Sequence, residues 1–459
     1  MKPPPAQPSA RELALHILAT AEARDRHVED LLAEALRKHP DISRQERAFL
    51  LELVQGVKRW ELRLDYVLAR LAKLPWRKVH PLVRQILRLA AYQILFLDKI
   101  PAHAAVDEAA NLARSRRLPT SHVGFINAIL RRLCRGEAPP LPKLEDDPAA
   151  ALAAFSAHPG WLVARWLSRY GLEETRARLE ANNRVPPLTV RVNTLKTDRE
   201  SLIARLAGEG VRAVPGRFSA MGLVFEEFAQ APATLPSYRE GLWLFQDEAA
   251  QLATLLIPLA PGQRLLEVGA GRGGKTTHLG EKLQNQGLIL AVDLHRQRLM
   301  SLKQNLKRFG VTMAQPLRAD ATQALPVKPG SLDALIIDAP CSALGILRRH
   351  PEIKTRLAEK DLATFPPRQR RMLEAAAPLL KTGGHILYIT CTTEPTENED
   401  LVAGFLADHP EYRQVLEPDL LPPPARHLLN PPGFFRTSPA HHDLDGFFAA
   451  LMRRQGSNQ

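Results

Sequence analysis

From residue 9 to 136, apolar residues recur every three or four positions, the spacing of helices with one buried face. SARELALHILATAE opens behind a serine suited to cap a helix. RQERAFLLELVQGVKRW, LRLDYVLARLAKL, LVRQILRLAAYQILFL and HAAVDEAANLARS repeat the pattern. Breaks at Pro75, Pro81, Pro101 and Pro119 divide the stretch into five or six amphipathic helices, enough for a compact bundle over 1–136. Arg84, Arg88, Arg131 and Arg132 fall on the expected polar faces. Periodicity is then lost in a polar, proline-rich stretch that reads as a linker over 137–150. Beyond it, HPGWLVARWLSRYG and EETRARLEANN read as helices, with Trp161 and Trp166 at core spacing. LTVRVNTL alternates like a strand through Leu188, Val190, Val192 and Leu195. A helix at 198–208 and short strands near 211–214 and 222–226 complete a small α+β module over 151–245.

After residue 246 the period changes again. Apolar runs (RLLEVG, LILAVD, a segment ending LRAD, ALIIDAP and HILYITC) alternate with helical patterns at 274–285, 295–309 and 367–380. Strands apolar on both faces and separated by helices predict a parallel sheet covered on both sides. GFFAALMRR adds one more strand. The expected fold is therefore multidomain: an all-α bundle, a small α+β module, and a C-terminal α/β Rossmann-like domain over 246–459.

Composition narrows the setting. No apolar run approaches the ~18 residues of a membrane span, and MKPPPAQPSA lacks the apolar core of a secretory signal. Three cysteines, Cys134, Cys341 and Cys391, are too few and too scattered for a disulfide frame or a CxxC zinc site. A cytoplasmic chain without a membrane anchor or metal is expected. The net charge of +13 is uneven, with +10 in 1–136, zero in 137–245 and +3 in 246–459. A positive field concentrated in the first third suits a polyanion such as RNA. The plain alternative is a solvated basic surface.

The candidate chemistry lies in the last domain. RLLEVGAGRGGKTTH places a glycine loop between a strand and a helix, where free N–H groups and close backbone approach favour a ligand. Gly269-x-Gly271-x-x-Gly274 fits a dinucleotide-type fingerprint, while Gly269, Gly274, Lys275 and Thr276 also satisfy a phosphate loop. Glu267 sits where an acid would oppose bound phosphates. Asp293 ends the next strand, where a carboxylate accepts from ribose hydroxyls, and Asp320 ends the third, suited to an adenine amine. An acid-lined pocket fits ribose, adenine and a sulfonium centre together, which describes S-adenosylmethionine. NAD-like and triphosphate ligands are the alternatives.

Asp338-Ala339-Pro340-Cys341 follows one apolar strand and Cys391 ends another. Ligands of such sheets bind at the carboxyl ends of strands, so both thiols are expected at the crevice. A single cysteine reads as a small buried hydrophobe, and Cys134 in RRLCRG keeps that reading. A thiolate that adds to carbon 6 of a pyrimidine makes carbon 5 nucleophilic, and a carboxyl group at ring N3 stabilises the adduct. Lys275 or Arg348 would favour the thiolate. DAPC in place of D/N-P-P-aromatic argues against methylation of an exocyclic amine. Arg348, Arg349 and His350 suit either a grip on RNA phosphate or a solvated loop, and His441-His442-Asp443 reads as a polar turn.

Through GGKTTH, AVD, IIDAPCSALGILRRHPEIK, LLKTGGHILYITC and DGFFAALMRR, the chain resembles the RsmB (Sun) family of small-subunit rRNA cytosine-C5 methyltransferases. PAHAAVDEAANLAR and GFINAILRRL are similar to a NusB-type RNA-binding bundle, and VRVNTLK to the family's RNA-recognition-like segment. The resemblance implies that Cys391 is the nucleophile, that Cys341 assists product release, and that Asp338 contacts the base and the cofactor. It implies that Gly269, Ala270, Gly271, Arg272, Gly273, Gly274 and Lys275, with Asp293 and Asp320, hold S-adenosylmethionine. Two departures stand out: GAGRGGK replaces CAAPGGK, putting Arg272 in place of a proline, and TCT replaces TCS. A monomer acting on small-subunit rRNA is expected. A tRNA cytosine-C5 methyltransferase and a non-catalytic RNA-binding, antitermination-type factor are the alternatives.

Overall fold

Ser9 caps the first helix as its position suggests: its hydroxyl accepts from the Glu12 backbone N–H while the Glu12 carboxylate accepts from the Ser9 N–H. The computed structural model describes residues 7–228 and 230–456, so the first six residues of MKPPPAQPSA lie outside it. Two compact units emerge, one running to Asn183 with His350–Leu357 added, the other comprising Arg184–Arg349 and the chain from Ala358.

In the first unit, α1 (Ala10–Arg24), α2 (Val28–Lys38), α3 (Arg44–Leu71), α4 (Pro81–Phe96), α5 (Ala102–Ser115) and α6 (Thr120–Cys134) form the expected bundle. The two patterns read across 44–71 are one helix, since no proline interrupts them before Pro75. Gly56 lets α3 and α4 approach closely, because a Cβ there would lie 2.0 Å from the Tyr92 ring. Pro81 starts α4, where its missing N–H costs nothing. Arg88 is not on a polar face. It is 5% exposed and donates to both Asp65 carboxylate oxygens at 2.7 and 2.6 Å, with Glu61 at 3.1 Å. Arg84 and Arg132 are likewise paired, with Glu22 and Glu137, while Arg131 is exposed. Cys134 is exposed at the end of α6 rather than packed in the core.

Two further helices, α7 (Pro148–Ser156) and α8 (Gly160–Asn183), belong to this unit. Gly171, at φ 74°, divides α8 at the point where two helices were expected, and Trp166 is buried. Arg63 of α3 lies over Phe155 of α7 at 5.1 Å and donates to its carbonyl. The boundary between the units therefore falls at 183/184, inside the stretch 151–245 read as one module. The first two helices of that stretch belong to the bundle's unit, and its strands with the helices between them belong to the other.

The second unit opens with β1 (Leu188–Val192), α9 (Arg199–Gly208), β2 (Val211–Pro215), β3 (Gly222–Phe228), the short α10 (Pro236–Arg239) and β4 (Trp243–Phe245). The four strands form an antiparallel sheet in the order β2-β3-β1-β4, over a core of Val190, Val192, Leu202, Leu206 and Trp243. After α11 (Glu248–Leu255) comes the larger sheet. Its parallel part consists of β5 (Arg264–Val268), β6 (Leu288–Asp293), β7 (Ala314–Arg318), β8 (Leu332–Asp338) and β9 (Leu380–Thr390). Helices α12 (Gly274–Lys282), α13 (Arg296–Phe309), α15 (Phe365–Ala376) and α16 (Glu399–Asp408) accompany it, and the one-turn α14 (Ile353–Arg356) belongs to the first unit.

The strand order is β9-β8-β5-β6-β7, a doubly wound arrangement whose switch point lies between β5 and β8. β13 (Phe448–Arg454) runs antiparallel to β9, which accounts for the extra strand expected in GFFAALMRR. β10 (Tyr412–Val415), β11 (Leu429–Asn430) and β12 (Phe434–Arg436) were not foreseen, because two to four residues are too few to show a period; α17 (Pro439–His442) forms the polar turn before β13. Among the described residues, no helix is long and apolar enough to cross a membrane.

Removing the guanidinium of Arg88 strands Asp65 and Glu61 in the bundle. Arg88→Ala should therefore cost about 3–5 kcal/mol, seen as lost amide-exchange protection across α3 and α4. Unchanged protection there would contradict the buried network.

Candidate active site

The glycine loop leaves β5 at the switch point. Gly269 has φ 78°, and a Cβ on it would sit 2.2 Å from the Asp338 carbonyl oxygen, so only glycine fits beside the end of β8. Gly273, at φ 89°, caps α12. The Gly271 N–H donates to Asp293 Oδ2 at 3.0 Å, and Asp293 Oδ1 accepts from the His295 N–H at 2.7 Å. Gly269 and Ala270 both donate to the Val292 carbonyl. The loop and the end of β6 are thus one hydrogen-bonded unit. The Arg272 carbonyl accepts from Asn305 Nδ2 of α13 at 2.8 Å, so a side-chain hydrogen bond holds the turn where the resembled family uses a proline ring. Gly274 begins α12. Asp320 lies two residues past β7 and is exposed; Thr322 donates to it from backbone and hydroxyl, which holds its carboxyl below the usual range.

Lys275 Nζ sits 2.6 Å from Asp338 Oδ2, with its side chain 11% exposed. Burial pulls this ammonium down, but Asp338 more than offsets it, and Cys391 and Glu267 add to the upward shift. Thr276 is fully buried. A lysine committed to a carboxylate and a buried threonine do not suit a triphosphate loop, whose lysine and hydroxyl must face phosphate and metal. Glu267 is also fully buried; burial pushes its carboxyl up to about 8, Thr276 and Lys275 pull it down, and Asp338 and Asp293 push it further up.

The two cysteine-bearing strands are neighbours, with Asp338 opposite Ile389 in the parallel pairing of β8 and β9. Cys341 Sγ and Cys391 Sγ are 3.4 Å apart, and the Cys391 N–H points at Cys341 Sγ at 3.4 Å. The hydrogen bond to Cys391, then burial, pushes the Cys341 thiol well above its ordinary value. Cys341 therefore keeps its proton beside the Cys391 sulfur. Lys275 is the nearby cation for Cys391.

Arg348 and Arg349 do not reach outward. Arg348 is 1% exposed and donates to Asp445 at 2.8 Å and to Asp443 at 2.7 Å. Arg349 bridges Asp445 and Asp247, each at 2.6 Å. Three carboxylates consume both guanidinium groups, so neither grips RNA phosphate nor faces the thiols. His350 is part of the other unit.

Several positioning residues escaped the sequence reading. Glu397 of TCTTEPTENED is fully buried and takes a hydrogen bond from the Ser342 N–H at 3.0 Å and from Gln369 at 2.9 Å. Arg191 of VRVNTL is fully buried and donates to the Gly274 carbonyl at 2.7 Å, Thr277 at 2.8 Å and Glu281 at 2.8 Å. The small sheet thereby grips the first turn of α12. A lone arginine inside an alternating apolar strand was the available signal for it.

The buried Glu267 generates a pH signature. Its carboxyl titrates near 4.5 when unfolded and near 8 when folded. Between these values the unfolded chain has lost a proton that the folded chain keeps. Stability of the cofactor-free protein should therefore fall as pH rises, by up to ~1.4 kcal/mol per unit. Glu267→Gln should flatten that slope in urea titrations of the full chain. An identical slope in the variant would contradict the burial of this carboxyl.

The family model for the 16S rRNA methyltransferase RsmB/F matches residues 253–453, the NusB family matches 8–135, and the RsmF/B-like ferredoxin-like domain matches 158–231. The probable ribosomal RNA small subunit methyltransferase B of Synechocystis sp. is 35% identical, across 97% of this chain and 99% of that one. The ribosomal RNA small subunit methyltransferase B of Pseudomonas putida is 36% identical, across 90% and 91%. The crystal structure of PH0851 superposes with a TM-score of 0.83 at 28% identity, covering 98% of this chain and 99% of that one. The structure of NSun6 from Pyrococcus horikoshii with SFG shares the fold of 66% of this chain and all of that one, with a TM-score of 0.58 and 22% identity. Matching across nearly the whole length, the chain belongs to the ribosomal RNA small subunit methyltransferase B family.

Proposed function

We propose that the chain methylates carbon 5 of cytosine in small-subunit rRNA, with S-adenosylmethionine as donor and a covalent bond between Cys391 and carbon 6 as intermediate. The observation that carries this reading is the pair of sulfurs 3.4 Å apart at the ends of neighbouring parallel strands. The loop fits the donor: Gly269, Gly271 and Gly273 all take positive φ, and Asp293 is locked to the Gly271 N–H beside them. When bound, S-adenosylmethionine supplies a methyl group on a sulfonium centre that keeps the electron pair of the broken carbon–sulfur bond.

Cys391 supplies the sulfur that adds to carbon 6, which makes carbon 5 enamine-like. Lys275 and Asp338 present a paired donor and acceptor to the ring edge. After carbon 5 gains the methyl group, its proton leaves to a base. The electron pair of that bond restores the ring double bond and expels Cys391 as thiolate. The Cys341 thiol, 3.4 Å from the Cys391 sulfur, steadies that leaving charge.

The helical unit running to Asn183 and the small four-stranded sheet are assigned to RNA capture, and the larger sheet with its helices to chemistry. The +10 charge of the first third supports that division, and RNA affinity should fall steeply with salt. The direct test offers labelled S-adenosylmethionine with unmethylated small-subunit rRNA and, separately, tRNA. Label should appear on rRNA cytosine and vanish with Cys391→Ala, whereas Cys341→Ala should accumulate a covalent RNA adduct. Label on tRNA alone would move the substrate, and label that survives Cys391→Ala would overturn the nucleophile.

A further inference from the structure

Helix α13, RQRLMSLKQNLKRF, carries five basic residues and no carboxylate. Arg296, Arg298, Lys303 and Lys307 are exposed. Among the described residues, none of these four has a carboxylate within 4.0 Å. Exposed Arg176, Arg205 and Arg212 do find one, whereas exposed Lys73, Lys99 and Arg131 do not. What sets α13 apart is that Arg296, Lys303 and Lys307 share one face with no carboxylate beside them, which makes that face locally positive and attractive to an anion.

The row borders a groove of about 500 Å3. Arg296, Leu299, Met300 and Lys303 of α13 form one wall, and Pro316 and Arg318 of β7 form the other. β7 ends the parallel run of the sheet, so no further strand closes that side. Met300 is 54% exposed, which leaves an apolar floor between three cations. A flat apolar floor rimmed by cations matches single-stranded nucleic acid, whose bases stack and whose phosphates pair with Lys and Arg. An apolar peptide would leave the three cations unpaired.

The place of the groove fits as well. α13 begins three residues after Asp293, and Arg318 donates to the Leu294 carbonyl at 3.2 Å, so the groove opens near the carboxyl ends of the strands. β7 lies three strand positions from β8, or about 14 Å at ~4.8 Å per strand. That is too far for the target base and suits its neighbours.

We propose that α13 and the β7 edge form a binding groove for a single-stranded RNA segment flanking the methylated cytosine. The proposal rests on the RNA methyltransferase reading above. Its test uses the full chain with Arg296→Glu/Lys303→Glu, a neutral Arg296→Gln/Lys303→Gln version, and Lys328→Glu as a control at the opposite end of the strands. Affinity for an unmethylated small-subunit rRNA transcript is measured from about 50 to 300 mM salt. Two lost phosphate contacts should lower the log–log salt slope by ~1.4 and weaken binding roughly 25-fold near 0.1 M salt. The neutral version should show the same change in slope, and Lys328→Glu should match the wild type. S-adenosylmethionine titration should be unchanged in all three, which establishes that they fold. Wild-type slope and affinity in the charge-reversed variant would overturn the groove and assign it to another polyanion. Methyl transfer by the wild type reads the enzyme assignment separately: RNA binding that depends on α13 without any transfer would overturn that assignment and leave the groove standing.

Discussion

The carboxylate of Glu397 lies out of water and takes hydrogen bonds from both the backbone and the hydroxyl of Ser342 and from the Gln369 amide. Ser342 follows Cys341, and its hydroxyl also meets Thr392 Oγ1 at 2.6 Å, the residue after Cys391. One buried acid thus ties the loop after β8 to the loop after β9. Burial pushes this carboxyl up, and the Ser342 and Gln369 donors pull it back. A buried carboxylate is tolerable only with such partners in place, so the loops it joins have little freedom to part. Gly345 completes the junction: its N–H donates to the Cys391 carbonyl at 2.9 Å, and a Cβ on it would strike the Gly446 carbonyl. The 3.4 Å between the two sulfurs follows from these contacts.

The glycine loop joins the same arrangement from the other side of the switch point. Gly269 packs under the Asp338 carbonyl, and Lys275 of α12 reaches the Asp338 carboxylate. The small sheet fixes α12 through Arg191 and Glu281. Loops after β5, β8 and β9 therefore converge on a few ångströms of backbone. Chemistry that needs a thiolate, an acid and a methyl donor in fixed relation gains most from such positioning.

Much of this was legible before any coordinates. Apolar runs of five to seven residues between helical patterns marked β5, β6, β8 and β9, and the ends of β8 and β9 marked both cysteines. Glycines at 269, 271 and 274 marked the loop. What escaped notice was carried by partners distant in sequence. Arg88 looks like any polar-face arginine until Asp65 and Glu61 surround it. Arg348 and Arg349 follow a catalytic-looking loop, yet Asp247 and Asp445 claim them from about one hundred residues away on either side. Glu397 carries no local signal at all, since its meaning lies in Ser342 and Gln369. Charge counts alone concentrate the positive excess in the first third, whereas the unpaired cations of α13 stand out only against the ion pairs of the fold.

The most direct measurement is peptide mapping of the protein trapped on small-subunit rRNA that carries 5-fluorocytidine, where fluorine in place of the carbon 5 proton blocks release. The proposed mechanism expects the RNA bond on Cys391, the sulfur with Lys275 beside it. A bond mapped to Cys341, or no covalent complex despite methyl transfer to unmodified rRNA, would contradict it.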